Sequence, residues 1–129
     1  MTLEMTLEEL TDAMNAFVGA MGWYRGDSPF VQSPRNIAIS LSLEASEVLE
    51  HFQWGEEAVP DVLAEELADV ALYLLQLAYL TGVDLEQAIM DKLAVNYRRF
   101  SSAPCCSECT AKTPYHKSQA NDAGLTTQD

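Results

Sequence analysis

Apolar residues in the first hundred positions recur with the period of an α-helix, and no segment shows the alternation of a β-strand. A capping box, Thr6-Leu-Glu-Glu9, opens a run of apolar residues at helical spacing: Leu7, Leu10, Met14, Phe17 and Met21. Gly22 predicts the end of this first helix. The stretch 23–31, which contains Gly26 and Pro29, predicts a loop.

Three more helices are indicated by residues that commonly begin or end them. They are predicted to run from Ser33 and Pro34 to about Gln53, from Pro60 to Gly82, and from Asp84 to about Phe100. Four helices joined by short connections indicate an all-α fold, an antiparallel helical bundle.

The third predicted helix is unusually apolar. Between Leu67 and Leu80 its only charged residue is Asp69, and its only other strongly polar residue is Gln76. A helix that is apolar on every face is expected to be buried on every side. Four helices can hardly surround one of their own, so we expect a second subunit to cover part of it. The alternative is a monomer with an apolar central helix.

The composition changes at about Ser101, beyond which small and polar residues predominate. Such a stretch buries too little apolar surface to offset its ordering entropy. We therefore expect a helical domain over residues 1–100 and a disordered tail over 101–129. Four tail residues form either an unstructured thiol cluster or a zinc site: Cys105, Cys106, Cys109 and His116.

Charge and composition narrow the class of partner. The 129-residue chain carries 7 basic and 20 acidic residues, a formal net charge of −13, and 48% of its residues are hydrophobic. This composition is globular and lacks the basic surface that binds nucleic acid or an anionic membrane. The sequence shows neither a membrane-spanning apolar run nor a signal-peptide pattern, so we expect a soluble, cytoplasmic protein.

Two pairs of carboxylates carry the candidate chemistry. Helix two contains Glu44 and Glu47, and helix three contains Glu66 and Asp69. Residues three apart lie about one turn apart on one helix face, so neighbouring helices would bring all four acids together. Their repulsion would require a cation, and oxygen ligands favour Mg²⁺. The alternative is solvated surface, although Asp69 lies in an apolar run and is expected to be buried.

Other metal and nucleotide chemistries lack their motifs. A di-iron carboxylate bundle uses Glu-x-x-His, whereas His51 follows Glu47 by four residues. No Walker-type or dinucleotide-binding glycine loop is present. His51 is therefore interpreted as a helix-end or surface residue.

Three segments together resemble the MazG-like nucleotide pyrophosphohydrolases, and most closely the dCTP pyrophosphatase branch. They are Ser33-Pro-Arg-Asn-Ile37, Leu43-Glu-Ala-Ser-Glu-Val-Leu-Glu-His-Phe-Gln-Trp54 and Glu65-Glu-Leu-Ala-Asp-Val-Ala-Leu-Tyr73, to which Lys92 and Asn96 add. The resemblance covers about residues 6–100. It implies an all-α homodimer or homotetramer that uses Mg²⁺, with Mn²⁺ as a substitute. The implied reaction hydrolyses a nucleoside triphosphate to the monophosphate and pyrophosphate.

The resemblance also implies roles for individual residues. The metal-binding positions fall on Glu44, Glu47, Glu66 and Asp69. Glu47 is the candidate general base, and Lys92 supplies positive charge to the phosphates. The implied substrate-binding residues are Trp23, Trp54, Tyr73, Lys92 and Asn96, with the two tryptophans as walls around the base. Plain core packing is the alternative for both tryptophans.

The base preference stays open at this point. Met14 stands where the dCTP branch often carries a histidine. A pyrimidine deoxynucleotide such as dCTP is expected, and dUTP, a modified nucleotide or a phosphoribosyl-ATP-like molecule are alternatives. The competing class is a non-enzymatic helical interaction protein, in which the acids are surface and helix three is a dimer core.

Overall fold

A computed structural model describes residues 4–101, and these residues form helices without any strand. The four helices are α1 (Leu7–Ala20), α2 (Pro34–Glu50), α3 (Pro60–Thr81) and α4 (Leu85–Ser101). The predicted all-α fold is confirmed. The predicted tail, with Cys105, Cys106, Cys109 and His116, lies outside the described residues.

The helix ends follow the local signals in the sequence. Thr6 and Glu9 form the predicted capping box, because each side chain bonds the backbone N–H of the other, at 3.2 and 2.8 Å. The Ser33 hydroxyl accepts a bond from the Asn36 N–H at 3.2 Å, ahead of Pro34 at the first helical position. Gly82 ends α3 at φ 70°, a left-handed conformation that glycine adopts without steric cost.

Helix α2 ends three residues earlier than the sequence predicts. Its last residue is Glu50, and the backbone then forms tighter turns in which each N–H bonds the carbonyl three residues back, as Phe52 does to Leu49 at 3.0 Å. Such turns are common at helix ends and carry no Gly or Pro signal of their own. The result places His51 at the end of α2 and Trp54 in the connection beyond it.

The chain divides into two compact units at Ile89, so α4 begins in the first unit and ends in the second. In the first unit α3 packs against both α1 and α2. Its apolar core is small: Met14 and Val18 from α1, Ile37 from α2, and Leu75 and Ala78 from α3. This packing sets α2 and α3 side by side, as the carboxylate hypothesis requires.

Within the single chain α3 is buried on one side only, and its coverage by a second subunit stays a prediction. Its buried residues are Leu75, Gln76 and Ala78, whereas Leu67 is 50% exposed and Tyr79 56%. Two neighbouring helices cover one side of a third and leave the other apolar face open.

Among the described helices none alone is long and apolar enough to span a membrane, although α3 and α4 together, which are bent by 103° at the break between them, have the length and composition of a span.

Candidate active site

Three carboxylates from two helices meet on the facing sides of α2 and α3. Glu44, Glu66 and Asp69 each offer an oxygen, and these oxygens all lie within 4.8 Å of one another. Glu66 and Asp69 come from successive turns of α3, and Glu44 reaches them from α2. Three of the four carboxylates that the sequence spacing was expected to bring together therefore lie close to one another.

One carboxylate oxygen of Glu44 is enclosed by the protein. Its Oε2 atom is buried and has no hydrogen-bond partner. Burial, a hydrogen bond with Glu47 and the negative charges of the surrounding acids raise the pKa of Glu44 from 4.5 to about 6. An acceptor oxygen left without a partner is costly, so a group that supplies positive charge there would stabilise the cluster.

The donor set fits a hard divalent cation. Carboxylate oxygens are the ligands that Mg²⁺ and Mn²⁺ prefer, and Mg²⁺ commonly binds through few carboxylates while retaining waters and substrate phosphates. The Oε2 atom of Glu44 has no hydrogen-bond partner, and oxygens of Glu66 and Asp69 lie within 4.8 Å of a Glu44 oxygen. This arrangement fits a site for a divalent cation.

Glu47 and Asp69 differ from their expected environments. Glu47 is exposed, and although it interacts with Glu44 one turn earlier, it does not belong to the group of three close oxygens. Asp69 is exposed as well, which corrects the expectation that it is buried. Its direct neighbours in the sequence, Ala68 and Val70, lie on other faces of α3 and do not cover it.

His51 is a site residue that sequence reasoning missed. Its Nε2 atom lies 3.5 Å from Oε1 of Glu66, and both side chains are about one-fifth exposed. His51 is a helix-end residue, as interpreted, but it also contacts the carboxylate cluster. A usable signal was present, because His51 follows Glu44 by seven residues, two helical turns, and so lies on the same face of α2.

The predicted aromatic residues occupy different environments. The half-buried Trp23 packs edge-on against Phe17 and Phe30, with ring centroids 5.6 and 6.1 Å away. Trp54 is 92% exposed, which argues against a core role within one chain. Tyr73 is half-buried on α3, four residues beyond Asp69 and therefore about one turn along the same face.

Lys92 and Asn96 lie on α4, in the unit that begins at Met90. Lys92 is exposed and Asn96 half-buried. They are four residues apart, so both lie on one face of this helix. Arg98 and Arg99 follow in its last turn, where positive charge complements the helix dipole.

Comparison with known proteins assigns the family. The MazG-like family model matches residues 39–103, about half of the chain, which includes all four acids. The chain belongs to the MazG-like family. The family predicted from the three sequence segments is thereby confirmed.

Individual relatives agree with this assignment. The proteins named dCTP pyrophosphatase 1 in Homo sapiens and Bos taurus are each 33% identical to this chain over 107 residues. These matches cover 75% of this chain and 60% of each relative, so the chain spans 60% of the length of these curated relatives. The solved structure of a pyrophosphatase from Archaeoglobus fulgidus superposes with a TM-score of 0.61 at 29% identity, over 78% of this chain and 96% of that one.

Proposed function

We propose that this protein is a divalent-cation-dependent nucleotide pyrophosphohydrolase. It converts a nucleoside triphosphate and water to the nucleoside monophosphate and pyrophosphate, with dCTP as the first candidate substrate. The observation that carries the proposal is the three-carboxylate cluster with the partnerless Glu44 Oε2, on the facing sides of α2 and α3 in a MazG-like chain. The names of the relatives support the same reaction class.

Glu44, Glu66 and Asp69 hold Mg²⁺ in this proposal, with Mn²⁺ as a substitute. The cation supplies the charge that lets a triphosphate approach a protein of net charge −13, and it polarises the phosphoryl oxygens. The exposed Glu47 stands beside Glu44 and takes one of two roles, as a further ligand or as the general base for the attacking water. Attack at the α-phosphorus releases pyrophosphate.

The remaining residues bind the nucleotide. Lys92 provides a positive charge for the phosphates and Asn96 a hydrogen-bonding amide for the sugar. Tyr73 continues the carboxylate-bearing face of α3 and lines the pocket. Trp23 and Trp54 form apolar walls for the base, a role that the 92% exposure of Trp54 favours because this indole is available for stacking.

The open apolar face of α3 supports a homo-oligomeric protein. Leu67, Leu72, Leu74 and Tyr79 each expose 40% or more of their surface in the single chain. A second copy of the chain would remove this surface from water, so we propose a homodimer or homotetramer that acts in the cytoplasm.

The base preference is the least constrained part of the proposal. Met14 is 5% exposed and packs in the core of the first unit, so a position that often carries histidine in the dCTP branch is apolar here. dUTP, a modified nucleotide and a phosphoribosyl-ATP-like molecule therefore remain the alternative substrates.

A pyrophosphate-release assay over a panel of nucleotides tests the function. The full chain is incubated with dCTP, CTP, dUTP, dTTP, 5-methyl-dCTP and phosphoribosyl-ATP, with Mg²⁺, with Mn²⁺ or with chelator. We expect metal-dependent release of pyrophosphate and monophosphate, fastest with a pyrimidine deoxynucleotide. Release of inorganic phosphate would indicate another cleavage position. An inert protein that still self-associates would favour the helical interaction protein.

A further inference from the structure

Gln76 is the one strongly polar side chain buried among the described residues, at 3% exposure in the apolar part of α3. Its Nε2 atom donates a hydrogen bond to Oε1 of Gln32 at 2.7 Å and a longer one to the Tyr24 hydroxyl at 3.4 Å. Gln32 and Tyr24 both lie in the connection between α1 and α2. The buried amide thus ties this connection to α3 at two points.

Gln32 and Tyr24 each form a further hydrogen bond. The Gln32 amide donates onward to the Phe30 carbonyl at 2.8 Å, and the Tyr24 hydroxyl donates to Oδ1 of Asn15 on α1. Side chains joined in a hydrogen-bonded network restrict one another's conformations more than isolated hydrogen bonds do. The network therefore holds the connection against two helices at once.

Both routes from Gln76 end at a neighbour of Trp23. The first passes through Gln32 to Phe30, whose ring packs edge-on against the indole with centroids 6.1 Å apart. The second reaches Tyr24, the residue next to Trp23 in the chain. A cavity of about 250 Å³ is lined by Trp23, Tyr24 and Gln32 together with their loop neighbours.

The position of Gln76 along α3 relates this network to the carboxylates. Gln76 follows Asp69 by seven residues, so it lies on the same face, about 10 Å along the helix. A nucleotide with its phosphates at the cluster extends its base away from them over a comparable length. Gln76 thus lies at about the length of a nucleotide from the carboxylates along α3.

We infer that Gln76 is a positioning residue that fixes Trp23 for stacking on the nucleotide base. The inference rests on the proposed function, because it takes Trp23 as a wall of the base pocket. Gln76 acts through Gln32 and Tyr24 and takes no part in metal binding. Its loss is expected to weaken nucleotide binding and leave the chemical step largely intact.

The test compares Gln76→Met with Leu75→Ala. Methionine retains the length and volume of the side chain and removes the amide donor. Leu75 is also buried, at 7% exposure, and no side-chain hydrogen bond of the network involves it, so its truncation reports general loosening of α3. We expect Gln76→Met to raise KM about tenfold with kcat within about twofold, since it loses part of the stacking contribution of one base. Leu75→Ala is expected to lower the Tm and leave KM unchanged.

A second measurement follows Trp23 directly. In a Trp54→Phe background Trp23 is the only tryptophan, and acrylamide quenching of its emission reports its exposure. Gln76→Met should increase this quenching, whereas Mn²⁺ affinity measured by calorimetry should stay at the value of the background protein. If Gln76→Met does not fold, Tyr24→Phe removes one hydroxyl from a side chain that is 38% exposed and should shift KM and quenching in the same direction by a smaller amount.

The outcomes separate this inference from the proposed function. Unchanged KM and unchanged quenching in Gln76→Met would overturn the inference, as would equal changes in Leu75→Ala. A wild-type protein that releases no pyrophosphate would overturn the proposed function instead. The quenching comparison then still decides whether Gln76 fixes Trp23.

Discussion

The imidazole of His51 contacts the Glu66 carboxylate, with Nε2 3.5 Å from Oε1, and so links the end of α2 to the carboxylate cluster on α3. A group that bonds a metal-binding carboxylate orients it and limits the conformations that must be frozen on metal binding. His51 should therefore affect metal affinity without itself being a ligand.

We predict that His51→Leu weakens Mn²⁺ binding about 10- to 100-fold, the usual cost of losing such a supporting contact. Titration calorimetry on the metal-free protein measures this affinity. His51→Gln retains an N–H donor and should recover a large part of it. Equal affinity in wild type and His51→Leu would mean that the contact is incidental, and tighter binding in the leucine variant would contradict the supporting role of His51.

A second prediction concerns the pH dependence of the metal-free fold. Glu44 has a pKa of about 6 in the folded chain against 4.5 for the ordinary carboxyl, chiefly because of burial. Between these values the folded state retains a proton that the unfolded state has lost, so stability falls as pH rises through this interval. The contribution of Glu44 is fully present below about pH 4.5 and lost above about pH 6.

Melting curves with chelator from pH 4 to pH 7 measure this effect. The Tm of the wild type should fall across the interval relative to that of Glu44→Gln, which has no proton to lose at this position. Saturating Mg²⁺ should reduce the difference, because the bound cation stabilises the ionised form. Parallel curves for the two metal-free proteins would contradict the raised pKa of Glu44.

The helices were predictable because their ends are encoded locally. The capping box at Thr6 and the glycine at Gly82 each satisfy backbone groups within a few residues, so their sequence signals are sufficient. The end of α2 was not predictable, since no residue in the turns after Glu50 requires their conformation. The same limit applies to any helix end formed by ordinary residues.

The site was predictable to the extent that helix periodicity determines it. Spacing alone placed Glu66 and Asp69 on one face, and the proximity of α2 supplied Glu44. Burial was not predictable in this way, because it depends on which neighbouring helices cover a face. Asp69 is exposed for this reason despite its apolar sequence neighbours. The spacing of His51 from Glu44 indicates the side of α2 on which His51 lies, whereas its contact with Glu66 depends on the packing of α2 against α3.

A third prediction uses the exposure of Trp54. Because 92% of this residue is exposed, Trp54→Ala should change the Tm of the protein little. If the indole stacks on the base, the substitution should raise KM by the equivalent of about 1–3 kcal/mol, or roughly 5- to 150-fold. Trp54→Phe retains a smaller aromatic face and should give an intermediate KM. A large fall in Tm with an unchanged KM would assign Trp54 to packing, for example against a second copy of the chain.

The last prediction separates a metal site from ordinary surface charge at Asp69. In the metal-free protein Asp69 lies among Glu44 and Glu66 with carboxylate oxygens within 4.8 Å, so its charge opposes folding. Asp69→Asn retains the shape and removes that charge. We therefore expect the metal-free variant to melt at or above the wild-type temperature and to have lost pyrophosphate release.

Addition of Mg²⁺ should reverse the order of the two proteins. The wild type gains about 2.7 kcal/mol when Mg²⁺ is 100-fold above its dissociation constant, and the variant gains less because one ligand has lost its charge. Glu65→Gln, an exposed acid on α3 outside the group of three, should respond to Mg²⁺ like the wild type. Had Asp69 been held in a buried ion pair, Asp69→Asn would cost about 3–5 kcal/mol in the absence of metal. A strongly destabilised variant, together with a wild type whose Tm ignores Mg²⁺, would therefore remove Asp69 from the metal site.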